Sequence, residues 1–384
     1  MTERVSVEPE LLTWAIRRAR MGVEDVARRF PQFDEWARGA QPTFRQLETF
    51  ARATHAPFGF FFLPEPPREE VPIPDFRTFG DQEIEDPSPD LLDTIYSCQM
   101  RQEWYRAHAL DSDLDGLEFV GSASIEESPE LVADRIRHDI RFSVEERASY
   151  GTHEDALRAL IDLIEDMGVL VMVSGIVGGN THRKLDPEEF RGFALSDSLA
   201  PLIFVNGADT KAAQIFTMIH ELAHIFLGET ALSDAAMAAP GSNEHERWCN
   251  AVAAEVLVPI SALRTDYRAS VTVAELERLA KRYRVSTLVV LRRVFDMGAL
   301  NWDSYRERYE EELERILGLL ESKRSGNSGG NYYYTQPLRI SRRFARAVIV
   351  DAYEGGTLYR DAYSLLGTAR RETFDNLAAE LGVA

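Results

Sequence analysis

The chain has 384 residues, 45% of them hydrophobic and 28% charged, which is long enough for more than one domain with a buried core. Its formal net charge of −20 gives no general attraction to nucleic acid or anionic membranes, so contact with DNA would need a local basic patch. The sequence has no apolar run long enough to span a membrane, no apolar signal-peptide region at its start, and only two cysteines. These features predict a cytoplasmic protein without membrane contact.

Residues 1–66 predict a domain of short helices. Apolar residues recur at helical spacing from Leu11 onward, and breaks at Gly22 and Gly39 divide the stretch into four or five helices. Their order and lengths resemble an Xre-type helix-turn-helix domain, in which the third helix would read DNA. Acidic residues balance the arginines through Glu65, so we expect a fold used for packing or protein contact, with direct DNA binding left open.

A proline-rich passage, P-E-P-P-R-E-E-V-P-I-P-D-F-R, follows and marks a domain boundary, because prolines stiffen an extended chain. Residues 67–145 are predicted to form a helical connector, with long helices over 87–110 and 126–140. The next predicted domain, 146–300, opens with an amphipathic helix over 153–167.

Three buried strands are predicted next, over 169–173, 190–196 and 202–205, with a hairpin-like connection between the last two. They would form a small sheet beside the helix that follows. An edge strand of such a sheet offers main-chain N–H and C=O groups to an extended peptide. The alternative is that the sheet only supports the neighbouring helices.

The helix predicted from Asp209 to Gly228 carries the chemistry of the chain. Its apolar surface is too broad for an exposed helix, which predicts burial, yet it contains His220, Glu221 and His224. Residues four apart share one helix face, so the two imidazoles can bind one zinc ion, and the Glu221 carboxylate can take a proton from water on that metal. This is the H-E-x-x-H arrangement of metallopeptidases. The alternative, two core histidines, would leave three buried polar side chains without partners.

A third ligand is expected from a second helix, predicted over 243–258 after a loop of small residues. Glu246 and Asn250 share one face of this helix. Glu246 is therefore the best third ligand, and Asn250 is expected to hydrogen-bond a ligand side chain. The sequence leaves three other ligands open, namely Glu244, His245 and Asp234. The longer H-x-x-G-x-x-H pattern is absent, which excludes the metzincin arrangement and favours two histidines plus a glutamate.

These segments resemble the ImmA/IrrE family of metallo-endopeptidases, a gluzincin-like group with H-E-x-x-H on one helix and a glutamate on the next. The matching passages are Q-I-F-T-M-I-H-E-L-A-H-I-F-L-G at 214–228, E-R-W-C-N-A-V-A-A-E-V-L-V-P at 246–259 and F-R-G-F-A-L-S-D-S-L-A-P-L-I-F-V-N at 190–206. The resemblance implies that His220, His224 and Glu246 bind zinc, which Mn²⁺ can replace at such sites, and that Glu221 is the catalytic base. It also implies a narrow substrate, a helix-turn-helix repressor whose cleavage releases stress-response or mobile-element genes.

A helix, a short turn and a second helix are predicted to end the peptidase domain by residue 300. The segment 261–300 is basic, and structural support, protein docking and DNA contact all remain open for it. Residues 301–331 predict a charged helix followed by a flexible S-G-N-S-G-G-N linker. Residues 332–384 predict a small helical module.

The sequence therefore predicts a predominantly α-helical α+β protein. Its zincin-like core has a small sheet packed on the H-E-x-x-H helix and is flanked by helical N- and C-terminal modules. The predicted function is a zinc-dependent endopeptidase that cleaves a specific protein. The alternative is a DNA- or protein-binding regulator, such as a transcription factor or an antitoxin-like partner, with a vestigial or structural zinc site. A structural zinc site would have four protein ligands and no need of Glu221, which favours the enzyme.

Overall fold

The computed structural model describes residues 3–76, 87–233, 243–323 and 332–383. The chain divides into two compact units. The first contains Met1–Pro72 and Glu83–Tyr96, and the second contains Ile73–Gln82 and Ser97–Ala384. Helices and one small sheet make up the described part, which confirms the predicted α-helical α+β class. None of the helices within these ranges is both long and apolar enough to cross a membrane.

Short helices surround an aromatic core in the first unit. Its elements are α1 (Pro9–Arg18), α2 (Val23–Arg29), α3 (Phe33–Ala37), α4 (Phe44–Thr54) and a 3-10 helix (Phe58–Phe62). The Phe50 ring lies at the centre, with ring centroids 5.1 Å from Phe30, 6.0 Å from Trp36 and 5.7 Å from Phe61. The five-residue α3, the helix that would read DNA in an Xre-type domain, has Asp34 and Glu35 in its first turn.

The long helix α5 begins in the first unit and continues into the second. It is followed by three further helices before the sheet begins. Their bounds are α5 (Pro89–Asp111), α6 (Pro129–Asp139), α7 (Val144–Ser149) and α8 (His153–Asp166). The capping box of Thr152 and Asp155 starts α8, and the apolar stripe of α8 is buried in the main core of the second unit.

Four strands form the sheet of the second unit. They are β1 (Leu170–Ser174), β2 (Gly192–Leu195), β3 (Leu202–Asn206) and β4 (Ala231–Ser233). Their order is β1-β3-β2-β4, with β1 parallel to β3 and β2 antiparallel to both β3 and β4. The first three strands match the prediction. The expected loop of small residues instead begins with β4, which is too short to show a strand pattern in the sequence.

Helix α9 (Lys211–Leu227) packs against β2 and β3 of this sheet, and the buried helix α10 (Glu244–Leu257) packs against α9. The Thr210 hydroxyl caps the start of α9, and Gly228, at a φ of +75°, ends it.

Arg147 caps the C-terminal end of α10. Its buried guanidinium donates to the carbonyls of Val256 (3.1 Å) and Leu257 (2.6 Å). These carbonyls have no partner within the helix, so Arg147 supplies the donors that its C-terminus needs. Burial lowers the pKa of Arg147 to about 9.

The described part of the chain after α10 contains eight more helices. They are α11 (Ile260–Asp266), α12 (Val273–Tyr283), α13 (Thr287–Asp296), α14 (Trp302–Lys323), α15 (Tyr332–Ile340), α16 (Arg342–Glu354), α17 (Tyr359–Leu365) and α18 (Arg371–Glu380). Arginines of the basic 261–300 segment pair with acidic residues of the same unit. Examples are Arg278 with Glu275, Arg282 with Asp266 and Arg293 with Glu255. Such pairing supports a structural role for these arginines. The predicted linker lies outside the described residues.

The C-terminal helices pack against α8 and α5 through polar contacts. Glu165 on α8 accepts a hydrogen bond from Ser341, the cap of α16. Next to it, Arg343 Nε donates to the hydroxyl of Tyr105 on α5 at 2.8 Å. Burial is the main cause that raises the pKa of Glu165 to about 7.

Candidate metal centre

Helix α9 brings His220, Glu221 and His224 into the interior of the second unit. One helical turn separates the two histidines, so both imidazoles project from the same face. All three side chains are fully buried. The Nε2 atoms of His220 and His224 lie 3.2 Å apart.

Helix α10 supplies the carboxylate of Glu246 to this pair. Asn243 caps α10, which places Glu246 in its first turn and directs it toward α9. One carboxylate oxygen lies 3.2 Å from Nε2 of His220, and the other lies 3.0 Å from Nε2 of His224. These three residues form the buried His-His-Glu group that could hold a metal ion among the described residues.

The spacing of the three donor groups fits a metal ion. Nitrogen and oxygen ligands of one tetrahedral zinc ion at about 2.0–2.1 Å lie roughly 3.3 Å from each other. Both oxygens of Glu246 are buried and receive no hydrogen bond from any described residue. Although burial raises the pKa of this carboxyl, the imidazoles of His220 and His224 more than offset the effect and lower it to about 2. In the protein without metal the charged form of Glu246 is therefore favoured, and a carboxylate is also the form that a metal ion binds.

Glu221 lies beside this group with one oxygen held and one free. Oε1 accepts a hydrogen bond of 2.6 Å from Ser233 on β4, whereas Oε2 is buried with no hydrogen bond from the described part of the chain. Burial raises the pKa of Glu221 to about 7, against the opposing effect of the two histidines and Ser233. A carboxyl with such a pKa can take up and release a proton near neutral pH.

Gly192 makes room for Glu221 on the sheet side. A Cβ atom at Gly192 would lie 2.6 Å from Cγ2 of Thr217 and 3.0 Å from Oε1 of Glu221. Strand β2 and helix α9 thus approach each other more closely than any side chain would permit. Ser233 pairs with Gly192 across the sheet, so the two residues together position the carboxylate.

Two polar residues of the site were not predicted from the sequence, Ser233 and Glu229. Oε2 of Glu229 lies 3.5 Å from Nδ1 of His224, on the side of the ring away from Glu246. Glu229 also contacts Nδ1 of His245, so it links the two histidines. The contact with His224 is electrostatic, because neither Nδ1 of His224 nor Oε2 of Glu229 has a hydrogen-bond partner among the described residues. The only sequence signal for Glu229 is its position directly after Gly228, the residue that ends α9.

The remaining residues predicted for the site are the three alternative ligands and Asn250. Of the alternative ligands, His245 pairs with Glu229, Glu244 is exposed at the start of α10, and Asp234 lies outside the described residues. The amide oxygen of Asn250 receives no hydrogen bond from any described residue, so its contact with a ligand side chain stays a prediction.

A buried H-E-x-x-H helix on a small sheet, with a glutamate from the next helix beside it, is the architecture of a metallopeptidase domain. Residues 164–295 match the M78 peptidase family model, described as the IrrE N-terminal-like domain. This part of the chain is therefore similar to the ImmA/IrrE family, as the resemblance in the sequence predicted.

A second family model, described only as a domain of unknown function, matches residues 340–380 in the C-terminal helices. No curated protein and no solved structure matches the chain. Both family matches lie C-terminal to the first unit, so its Xre-like character remains a prediction.

Proposed function

We propose that the chain is a zinc-dependent endopeptidase that hydrolyses a bond in a specific protein substrate. The observation that carries this proposal is the buried arrangement of His220, His224 and Glu246, with Glu221 beside it. His220, His224 and Glu246 would hold the ion, with Mn²⁺ able to replace Zn²⁺ at such nitrogen and oxygen ligands. When bound, zinc supplies a Lewis acid that polarises a carbonyl and lowers the pKa of water.

Glu221 performs the proton transfers in this proposal. Ser233 fixes Oε1, which leaves Oε2 as the oxygen that accepts the proton of the attacking water. The same oxygen then delivers the proton to the leaving amine. A carboxyl with a pKa near neutrality suits both steps, because neither protonation state is strongly favoured.

The similarity of residues 164–295 to the ImmA/IrrE family supports a helix-turn-helix repressor as the substrate. We propose that cleavage of such a repressor releases genes of a stress response or a mobile element.

The test is to incubate the zinc-loaded protein with the repressor-like protein encoded nearest its gene and to analyse the products by mass spectrometry. Glu221→Gln is the matched control, because it keeps the shape of the side chain and the three proposed ligands. A single cut by the wild type alone supports the proposal. Equal cutting by Glu221→Gln would remove Glu221 from the mechanism.

A further inference from the structure

A short segment of the chain pairs with the outer edge of β4. Strand β4 is the last strand of the sheet, and β2 covers its other edge. Residue Asp75 forms a parallel bridge with Leu232. The Leu232 N–H donates to the Pro74 carbonyl at 2.9 Å, and the Phe76 N–H donates to the Leu232 carbonyl at 2.9 Å. Both outward main-chain groups of Leu232 are therefore taken by this chain's own residues.

The paired segment lies next to the proposed catalytic residues. Leu232 directly precedes Ser233, whose hydroxyl holds Glu221. The centroid of the Phe76 ring lies 6.3 Å from that of His224. Ile73, at the start of the segment, is 7% exposed and anchors it in the second unit.

Only one extended peptide can pair with this edge of β4 at a time. An extended peptide adds to a sheet through the free N–H and C=O groups of the edge strand, and these groups recognise backbone rather than side chains. An incoming polypeptide that used the β4 edge beside Glu221 would need the Leu232 groups that Pro74 and Phe76 now use.

We propose that the segment Pro74–Phe76 occupies the peptide-binding edge of β4 and holds the peptidase in a self-inhibited state. This inference rests on the proposed endopeptidase function. The occupant is suited to reversible binding, because its pairing is short. Pro72 and Pro74 have no N–H to donate, so the ladder is not extended toward the N-terminal side.

A tethered segment competes strongly in spite of its short pairing. A short covalent link gives an effective concentration in the millimolar range, so a free peptide of similar affinity finds the edge occupied. If the β4 edge is unoccupied in only a fraction of the molecules, full release of the segment raises the apparent affinity for a peptide by the inverse of that fraction. An edge that is open one-tenth of the time gains about ten-fold.

The experiment measures peptide binding by the full-length zinc-loaded protein in a Glu221→Gln background, which prevents turnover. The probe is a fluorescein-labelled peptide with the sequence of residues 71–77, V-P-I-P-D-F-R, followed by fluorescence anisotropy. Phe76→Ala removes the ring beside His224, and Phe76→Pro removes the N–H that Leu232 accepts. Phe62→Ala is the control, because Phe62 lies in the first unit and is 52% exposed.

We expect both Phe76 variants to bind the probe at least about ten-fold more tightly than the Phe62→Ala control. Equal affinity in all three proteins would overturn the self-inhibition. A second measurement needs no ligand, namely hydrogen exchange of the Leu232 amide. It should be protected in the parent protein and exchange faster in Phe76→Pro, whereas slow exchange in both would also overturn the inference.

Cleavage assays with Glu221 restored separate this inference from the proposed function. Faster cleavage of the repressor-like substrate by Phe76→Ala than by Phe62→Ala supports both. Tighter probe binding without cleavage by any variant counts against the endopeptidase activity on that substrate. It still supports occupation of the β4 edge by Pro74–Phe76. Unchanged probe binding with normal cleavage counts against self-inhibition alone.

Discussion

The hydroxyl of Ser233 donates a 2.6 Å hydrogen bond to Oε1 of Glu221, joining the edge strand of the sheet to the centre of the H-E-x-x-H helix. Both residues are fully buried, so water does not compete for this contact. The bond fixes one carboxylate oxygen and leaves the other available for the proposed proton transfer.

Replacing Ser233 with alanine should lower kcat about ten-fold or more and leave KM nearly unchanged. A hydrogen bond to a charged group contributes roughly 1.5–3 kcal/mol, and each 1.4 kcal/mol corresponds to about ten-fold in rate. Ser233→Thr keeps the hydroxyl and should recover most of the activity. Zinc content, measured in parallel, should be equal in all three proteins; full activity in Ser233→Ala would show that Glu221 needs no such support.

Gly192→Ala should destabilise the second unit by about 1–3 kcal/mol, because the added methyl overlaps Thr217 and presses on Glu221. Urea denaturation of the purified proteins measures the effect. Gly318→Ala is the control, for which we expect no loss in the free energy of unfolding. Gly318 lies within α14 and a Cβ there meets no described atom within 4 Å, so alanine should be neutral or stabilising by up to about 1 kcal/mol. Equal stability of the two variants would mean that β2 and α9 can separate without cost.

Glu229→Gln should weaken zinc binding by up to about ten-fold, because it removes the negative charge that lies 3.5 Å from Nδ1 of His224. Competition with a chromophoric chelator gives the zinc affinity directly. Glu244→Gln, an exposed change at the start of α10, is the matched control and should leave the affinity unchanged. The same loss of affinity in both variants would assign the effect to net charge instead of to the His224 contact.

Removal of the metal should lower the melting temperature of the wild type and leave that of Glu246→Ala almost unchanged. An ion that binds only the folded state adds stability that increases with its concentration relative to Kd. Glu246→Ala removes one of the three donor groups, so little zinc should remain to be extracted. Scanning calorimetry with and without chelator checks this, with Glu221→Gln as the variant that should still respond to zinc. An equal chelator effect in Glu246→Ala would place the ion elsewhere.

Glu165→Gln should stabilise the protein relative to the wild type by an amount that grows with pH. Burial raises the folded-state pKa of Glu165 to about 7 from an ordinary value of 4.5. Between these values the folded state binds more protons than the unfolded state, so wild-type stability falls as pH rises.

The stability difference should be small near pH 4 and should reach up to about 3 kcal/mol above pH 7. Urea denaturation of both proteins between pH 4 and 8 measures it. Glu154→Gln, on the exposed face of the same helix, is the control and should show little change across this range. A difference that does not depend on pH would show that Glu165 is charged throughout.

The helices that carry the site could be predicted from the sequence because their signals are local. A buried apolar helix that contains His220, Glu221 and His224 is recognisable from spacing alone, and Glu246 follows within one more helix. The positions of Ser233 and Glu229 could not be predicted, because their roles come from tertiary contacts. Strand β4 has only three residues, too few for an alternating pattern, and its pairing with Asp75 joins parts of the chain more than 150 residues apart.

The contact of Arg147 with the end of α10 has a practical consequence for producing the peptidase domain. The family match begins at residue 164, so a fragment cut to residues 164–295 would lack Arg147. The Val256 and Leu257 carbonyls would then lose their buried donors at one end of the helix whose other end presents Glu246. The region recognised by similarity is thus smaller than the second compact unit, and we expect a fragment meant to bind metal to need α7.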